Sequence, residues 1–540
     1  MYKRNLFVTL IALVFLVSCE DLLEVSPTEQ ITSDAVWGDI NLIEAHINQI
    51  YASMRSGLQN SPRLNILTDE ATARGRDYVQ SVVEGGLSPD NYQAIDYWSH
   101  YYDLIEKANS YLENVSGDRL EELQAINESA IHRMTGEAKF FRAYSYFRLA
   151  AFYGGVPLIT QTFGLDDDYN LERSTYDEII EFVVAELDEA TELLPLEYSG
   201  EDIGRVTKGA AMAIKARALL YAASPLNNPD GDTSKWERAR DATKDVIDLN
   251  MYSLYPNYKE MFLDKGNQEF IWVLNYNSNI AQRNRVEVTF YPNGSGGYAQ
   301  IHPLHNTVQA FETLNGLLPE EDPDFSLQNP YVNRDPRFYD MILYDGAPFL
   351  GREIETFTPG GIDTEDGPEG WNATWTGYYY RKFIDESIPA PPTAHIPSSP
   401  QWPYVRYAEI LLNYAEASYF LGDEETTREY INMIRSRESV NMPPVTENGP
   451  ELLERLQNER RIELLLEEHR WFDVRRWMIA EETDNIEAQR IDITHNPETG
   501  EKTYSVSTFQ QRRFFPQHYL VPIPQSEIER NPSLEQNPHY

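Results

Sequence analysis

Apolar residues recur three and four positions apart through two blocks of the chain, the spacing of amphipathic helices. In the first block, roughly 38–250, the pattern predicts helices over Asp39–Met54, Tyr92–Glu113, Ala130–Tyr153, Thr175–Leu194, Lys208–Ala223 and Lys235–Leu249. The second block covers 404–438 and 450–480. Ser174 and Thr207 stand where N-caps belong, and Pro157, Pro195 and Pro225 lie just beyond three helix ends, where proline stops propagation. Between the blocks, residues 251–403 are rich in Gly, Pro, Tyr, Asp and Asn and hold only short strand-like runs, Phe270–Asn275 and Arg285–Tyr291. Residues 484–520 read as a further strand-bearing excursion. The helices fall into pairs: Lys208–Ala223 with Lys235–Leu249, and Arg406–Leu421, Gly422-Asp423, then Thr426–Arg437. Alanines in these pairs allow close approach. The expected fold is mostly α: a tetratricopeptide-like solenoid of helix hairpins, with a loop-rich, short-strand second part. The helices are then scaffold and the loops the working surface.

The N-terminus has a different pattern. Lys3 and Arg4 precede Leu6–Val17, twelve residues of which only Thr9 is polar. A membrane-spanning helix needs roughly 20 apolar residues; a run of twelve fits the core of a secretory signal. It ends in Leu16-Val17-Ser18-Cys19, which resembles a bacterial lipobox, and Cys19 is the chain's only cysteine. The expectation is cleavage after residue 18 and lipid attachment at Cys19, with acyl chains that anchor the protein to a membrane. No intrachain disulfide can form. Glu20 and Asp21 resemble signals that send some lipoproteins to the outer face of the outer membrane. The layout expected is a signal peptide at 1–18, a tether at 19–36, a helical region at 37–250, a loop-rich ligand-binding region at 251–403 and a closing helical segment at 404–540.

A net charge of −41 argues against nucleic acid, whose phosphates demand Lys and Arg, and against lying flat on anionic lipid. Candidate chemistry is sparse. Glu459–Trp477 is dense in both charge signs, but Arg460/Glu463, Glu467/Arg470 and Asp473/Arg476 stand three apart, as structural ion pairs on a helix do. Gly294–Ala299 loosely matches a dinucleotide fingerprint but lacks the following helix and acid, so it reads as a loop. His302 and His305 are the closest histidine pair, without the further ligands of a zinc site. Asp166–Asp168 and Glu320–Asp324 lack EF-hand spacing and read as solvated charge. No catalytic residue, metal or cofactor is nominated.

Aromatics carry the sharper expectation, since 35 Tyr and 9 Trp are available to stack on the C–H faces of sugars. Trp371 and Trp375 lie four apart in a Gly/Pro/Asp loop, where no helical core explains them. Tyr291 and Tyr298 flank the Asn293–Gly297 turn. Asp69-Glu70 and Arg74-Gly75-Arg76-Asp77-Tyr78 form a polar cluster upstream. The candidate ligand-binding residues are Asp69, Arg76, Tyr78, Trp98, Tyr291, Tyr298, Trp371 and Trp375, with core packing the favoured role for Trp98 and local loop packing the rival role for Trp371 and Trp375. Trp272, inside an apolar run, reads as core.

Six stretches in one order resemble the SusD/RagB family of outer-membrane nutrient-binding lipoproteins: GEAKFFRAYSYFRLAAFYGGVP at 136–157, GRVTKGAAMAIKARALLYAASP at 204–225, NRDPRF at 333–338, RYAEILLNYAEA at 406–417, NERRIELLLEEHRWFDVRRW at 458–477 and LVPIPQSEIERNPSLEQNPHY at 520–540. The resemblance implies capture of oligosaccharide, or sometimes peptide, at the cell surface without chemistry on the ligand. It also implies a SusC-like TonB-dependent transporter as partner, over which the lipoprotein sits as a lid. A tetratricopeptide assembly scaffold and a surface glycosidase remain the competing functions.

Overall fold

The computed structural model describes residues 33–540 apart from 56, 59–63, 75–76, 165, 276–285 and 393–399. Cys19, the signal-like run and the tether up to residue 32 lie outside the described residues.

The first block folds as six long helices: α1 (Ile40–Ser53), α2 (Trp98–Asn114), α3 (Gly117–Tyr153), α4 (Tyr176–Leu193), α5 (Lys208–Ala223) and α6 (Thr233–Asp248). From α2 onward each helix packs on the next, as a solenoid of hairpins requires. The second block supplies α7 (Tyr407–Phe420), α8 (Glu424–Arg435), α9 (Gly449–Glu463) and α10 (Arg470–Arg476), and α7 packs on both α6 and α8. Buried alanines along α5, among them Ala210, Ala211, Ala213, Ala216 and Ala218, leave room for its neighbours. The chain is mostly helical with short strands, as the periodicity predicts.

Local differences have local causes. The helix expected from Ala130 is the second part of α3: at Asn127 the backbone leaves helical geometry (φ −155°, ψ 86°), and the Asn127 carboxamide oxygen accepts the Ala130 N–H at 3.2 Å. The N-cap of α4 is Thr175, not Ser174, because Glu178 completes a capping box with Thr175. Thr207 caps α5 as expected. Val286–Phe290, read as a strand, is a short helix.

The sheets are small. Strand β1 (Ala71–Ala73) meets β3 (Ile301–Pro303), with Ala73 opposite Ile301; β2 (Phe270–Leu274) meets β4 (Trp402–Arg406); and β5 (Glu487–His495) forms a hairpin with β6 (Lys502–Gln511). All three pairs are antiparallel. One apolar core runs through both helical blocks and the middle segment, from Trp37 to Leu534, with Trp272 inside it. The C-terminal segment is tied back to the end of α3: Val521 N–H donates to Phe152 O at 2.8 Å, and the Asn537 amide donates to Tyr153 O at 3.0 Å.

The charged stretch 459–477 is structural, but not by the expected spacing. Helix α9 ends at Glu463, Leu466 and Glu468 take left-handed φ of 64°, and α10 starts at Arg470. Only Asp473–Arg476 pairs three apart, at 2.9 Å. Arg460 reaches Asp473 at 2.8 Å, and Glu467 binds Arg406 and Lys382. The buried Glu463 carboxylate accepts from Arg337 at 2.9 Å, Arg406 at 2.7 Å and Arg437 at 2.7 Å. Burial alone would raise its pKa, but the three guanidiniums hold it far below the usual carboxylate range. Arg406 also binds Glu269 at the foot of β2, so this cluster joins the second helical block to the loop-rich middle.

Candidate functional site

The β1/β3 pairing brings the upstream polar cluster to the loops of the middle segment. Continuing its antiparallel register sets Arg74 beside Gln300, two residues from Tyr298. The Arg74 guanidinium lies 5.4 Å from the centre of the Trp375 ring, a cation–π arrangement, and pairs with Glu365 at 3.2 Å. It also donates to Gly370 O at 3.4 Å, beside Trp371. Trp371 sits on a single 3-10 turn, Gly370–Asn372, with 72% of its surface exposed, and Tyr298 is 50% exposed. Exposed rings of this size, held on ordered loops, are ready-made stacking surfaces.

Buried hydrogen bonds hold the Trp-bearing loop. Tyr379 Oη donates to the Asn293 carboxamide oxygen at 2.8 Å or to Asp363 O at 2.7 Å and accepts from Thr374 N–H at 3.1 Å. The Asn293 amide in turn donates to Thr364 O at 3.0 Å and Pro368 O at 2.9 Å. Glycine is required at position 367, where a Cβ would come within 2.0 Å of Ile362 O. The Trp375 N–H donates to His302 Nδ1 at 3.3 Å. Burial, aided by Arg74, pushes His302 down to about 3, so its ring is neutral and fit to accept. His305, also lowered by burial to about 4, bonds Tyr378 Oη at 2.9 Å and Gln309 at 2.8 Å. Both histidines are thus turned to neutral partners. Among the described residues no group of three His, Cys, Asp or Glu is placed to hold a metal ion.

The structure divides the residues nominated from sequence. Trp371, Trp375 and Tyr298 are on the loop surface. Tyr291 is not: it is fully buried, and its hydroxyl donates to Ile388 O at 2.7 Å. Asp69 is likewise interior, bound by Arg470 and Arg461 at 2.9 Å, because two guanidiniums at that depth demand a carboxylate. Trp98 is almost wholly buried at the start of α2, edge-on to Tyr153, and reaches only a cavity away from this site. Arg76 lies outside the described residues, and Tyr78 is in the short helix Asp77–Ser81. Arg74 and Glu365 were not nominated; Arg74 was visible within the polar cluster, whereas nothing in the sequence set Glu365 apart.

Comparison with known proteins places this architecture. A sequence profile of the SusD family matches residues 268–540, and a second, described as "Starch-binding associating with outer membrane", matches residues 21–220. A SusD-like protein of Formosa agariphila, P38, is 25% identical over 513 residues, 87% of this chain and 90% of that protein. A solved SusD-like protein from Bacteroides fragilis superposes with a TM-score of 0.79 at 29% identity, covering 95% of this chain and 100% of the other. A SusD-like carbohydrate binding protein from the same species gives 0.77 at 27%, covering 93% and 100%. The profile matches extend over both helical blocks and the loop-rich middle, and the chain belongs to the SusD family.

Proposed function

We propose that this protein is a cell-surface lipoprotein that captures oligosaccharides non-covalently and hands them to a SusC-like TonB-dependent transporter. The observation that carries the reading is the loop surface itself: the exposed Trp371 and the Arg74-backed Trp375, on one segment fixed by Tyr379 and Asn293. Sugar rings stack on indole faces, and Arg74, Glu365 and Asn372 supply hydrogen-bonding groups beside them. The carbohydrate-binding relative from B. fragilis supports the ligand class. The outer-membrane description of the matched profile supports the place, and Cys19 would be the lipid attachment site. The ligand is released unchanged, and the transporter is the partner that the family role implies.

Calorimetry of the mature chain against a glycan panel tests the ligand. Binding is expected in the micromolar range or weaker, with Trp375→Ala and Trp371→Ala each weakening it about tenfold or more, roughly 1.4 kcal/mol. Wild-type affinity in both variants would remove this site from the reading. Failure of every glycan at millimolar concentration would remove the ligand class. Labelling with radioactive palmitate, absent in Cys19→Ser, tests the anchor. Co-purification of the transporter with the wild-type chain tests the partner.

A further inference from the structure

A well-formed cavity lies away from the Trp371–Trp375 loop. It holds about 690 Å3 and opens between α2, the segment that follows α3, and the C-terminal helix Gln525–Arg530. That volume falls within the roughly 300–1,000 Å3 of small-ligand sites. Trp98, Tyr102 and Ile105 line it from α2, and Phe163, Tyr169 and Leu171 from the segment after α3. Phe163 and Tyr169 stand as a tilted pair 5.2 Å apart, and Tyr169 is 51% exposed.

Hydrogen bonds brace the walls. Tyr102 Oη donates to Pro157 O at 2.9 Å, and the Asn109 amide to Ile159 O at 3.1 Å and Gln161 O at 3.2 Å. Glu113 accepts the Thr162 N–H at 2.7 Å, and the Asn531 amide donates to Leu171 O at 2.8 Å. Those polar groups are therefore committed to the scaffold. Ser99, Glu106 and Gln161, also on the lining, have side chains with no hydrogen bond or ion pair among the described residues. Aromatic faces combined with uncommitted hydroxyl, carboxylate and amide groups suit an amphiphilic ligand, one with C–H faces and hydroxyl edges.

The charge around the mouth narrows the class. Glu106 and Glu527 line it, and Asp166, Asp167 and Asp168 lie on the loop between Phe163 and Tyr169. Arg530 is the one cation among the lining residues, and it pairs with Glu527 at 3.1 Å. A carboxylate or sulfate on the ligand would meet net repulsion. We propose that this cavity is a second sugar site, taking one or two residues of a neutral oligosaccharide and excluding uronate or sulfated sugars. The proposal rests on the glycan-binding reading, and its two sites would let one long chain engage the protein twice, raising avidity without new contacts.

The test is calorimetry of the mature chain with maltotriose, laminaritriose, cellotriose, mannotriose and xylotriose. A trisaccharide that binds should show two sites. Phe163→Ala/Tyr169→Ala should leave one, Trp375→Ala should leave one, and the combined variant none, each with its thermal midpoint unchanged. Trigalacturonate should fail to occupy the cavity, and Glu106→Lys should raise its binding about tenfold, or 1.4 kcal/mol. A single site abolished by Trp375→Ala and indifferent to Phe163→Ala/Tyr169→Ala would overturn the second site while leaving the first. No binding by any trisaccharide would overturn both. A photo-crosslinker at position 163 that captured a protein segment in cells, with no glycan bound there in vitro, would assign the cavity to protein docking and overturn the proposal.

Discussion

Replacing Glu463 with glutamine should destabilise the protein by about 3 kcal/mol at neutral pH, and the loss should shrink in acid. Glu463 is fully buried and accepts from three arginines. Removing one partner of a buried ion pair costs about 3–5 kcal/mol, because the remaining charge is left without compensation. Here each arginine keeps another carboxylate: Arg337 keeps Asp335 and Glu459, Arg406 keeps Glu269 and Glu467, and Arg437 keeps Glu269. The glutamine also retains one acceptor oxygen. Both facts set the cost at the lower end. A chain of this length has an unfolding entropy of about 1 kcal/mol/K, so the thermal midpoint should fall by about 3 °C. The pH arm separates charge from packing. Glu463 has a folded pKa held below its ordinary 4.5, so its stabilisation is present above 4.5 and is lost as pH falls toward the folded value. At pH about 3.5, one unit below the unfolded pKa, protonation of the unfolded chain removes about 1.4 kcal/mol of the wild-type advantage. Thermal unfolding followed by tryptophan fluorescence at the two pH values is the assay. An unchanged midpoint at pH 7, or an equal loss at both, would show that the three contacts do not act as a charge-compensated cluster.

Three further outcomes follow from other parts of the molecule. Burial, with Asp69 beside it, raises Glu70 to about 7, so the fold prefers it protonated: that stability is complete below pH 4.5 and is lost as pH rises through 7. Glu70→Gln should therefore match wild type near pH 4.5 and exceed it by about 3 kcal/mol at pH 8, read from denaturation midpoints; an equal difference at both would contradict the raised value. Tyr379→Phe removes the hydroxyl that joins Asn293, Asp363 and Thr374, and should cost about 1–3 kcal/mol while loosening the Trp375 loop, seen as faster amide exchange over 362–374. Thr175→Ala breaks the capping box of α4 and should cost about 1 kcal/mol without altering glycan affinity, which calorimetry on the folded variant checks.

Much of the scaffold is legible in the chain because it is set by local rules. The 3.6-residue repeat, Thr207 and the prolines after α3, α4 and α5 mark most of the helices within a few residues, since each signal acts on its own neighbours. The break between α9 and α10 is not local. The 459–477 stretch has the composition of one helix, yet its carboxylates and guanidiniums serve partners at 69, 337, 382, 406, 416 and 437, and the backbone turns at Leu464–His469 to let them.

The candidate site divides along the same line. Sequence alone marks Trp371 and Trp375 as tryptophans that no periodic core explains, and that is a property of their immediate surroundings. It cannot separate Tyr298, on the surface, from Tyr291, in the core, because burial depends on what packs above a residue. Nor can it set Arg74 over Trp375, 301 positions away, since that contact exists only through the β1/β3 pairing. Helix positions and the stacking residues were thus fixed by nearest-neighbour chemistry. Which of those residues face solvent, which charges meet, and where the cavity beside α2 opens were decided by long-range contacts, whose partners no local pattern encodes.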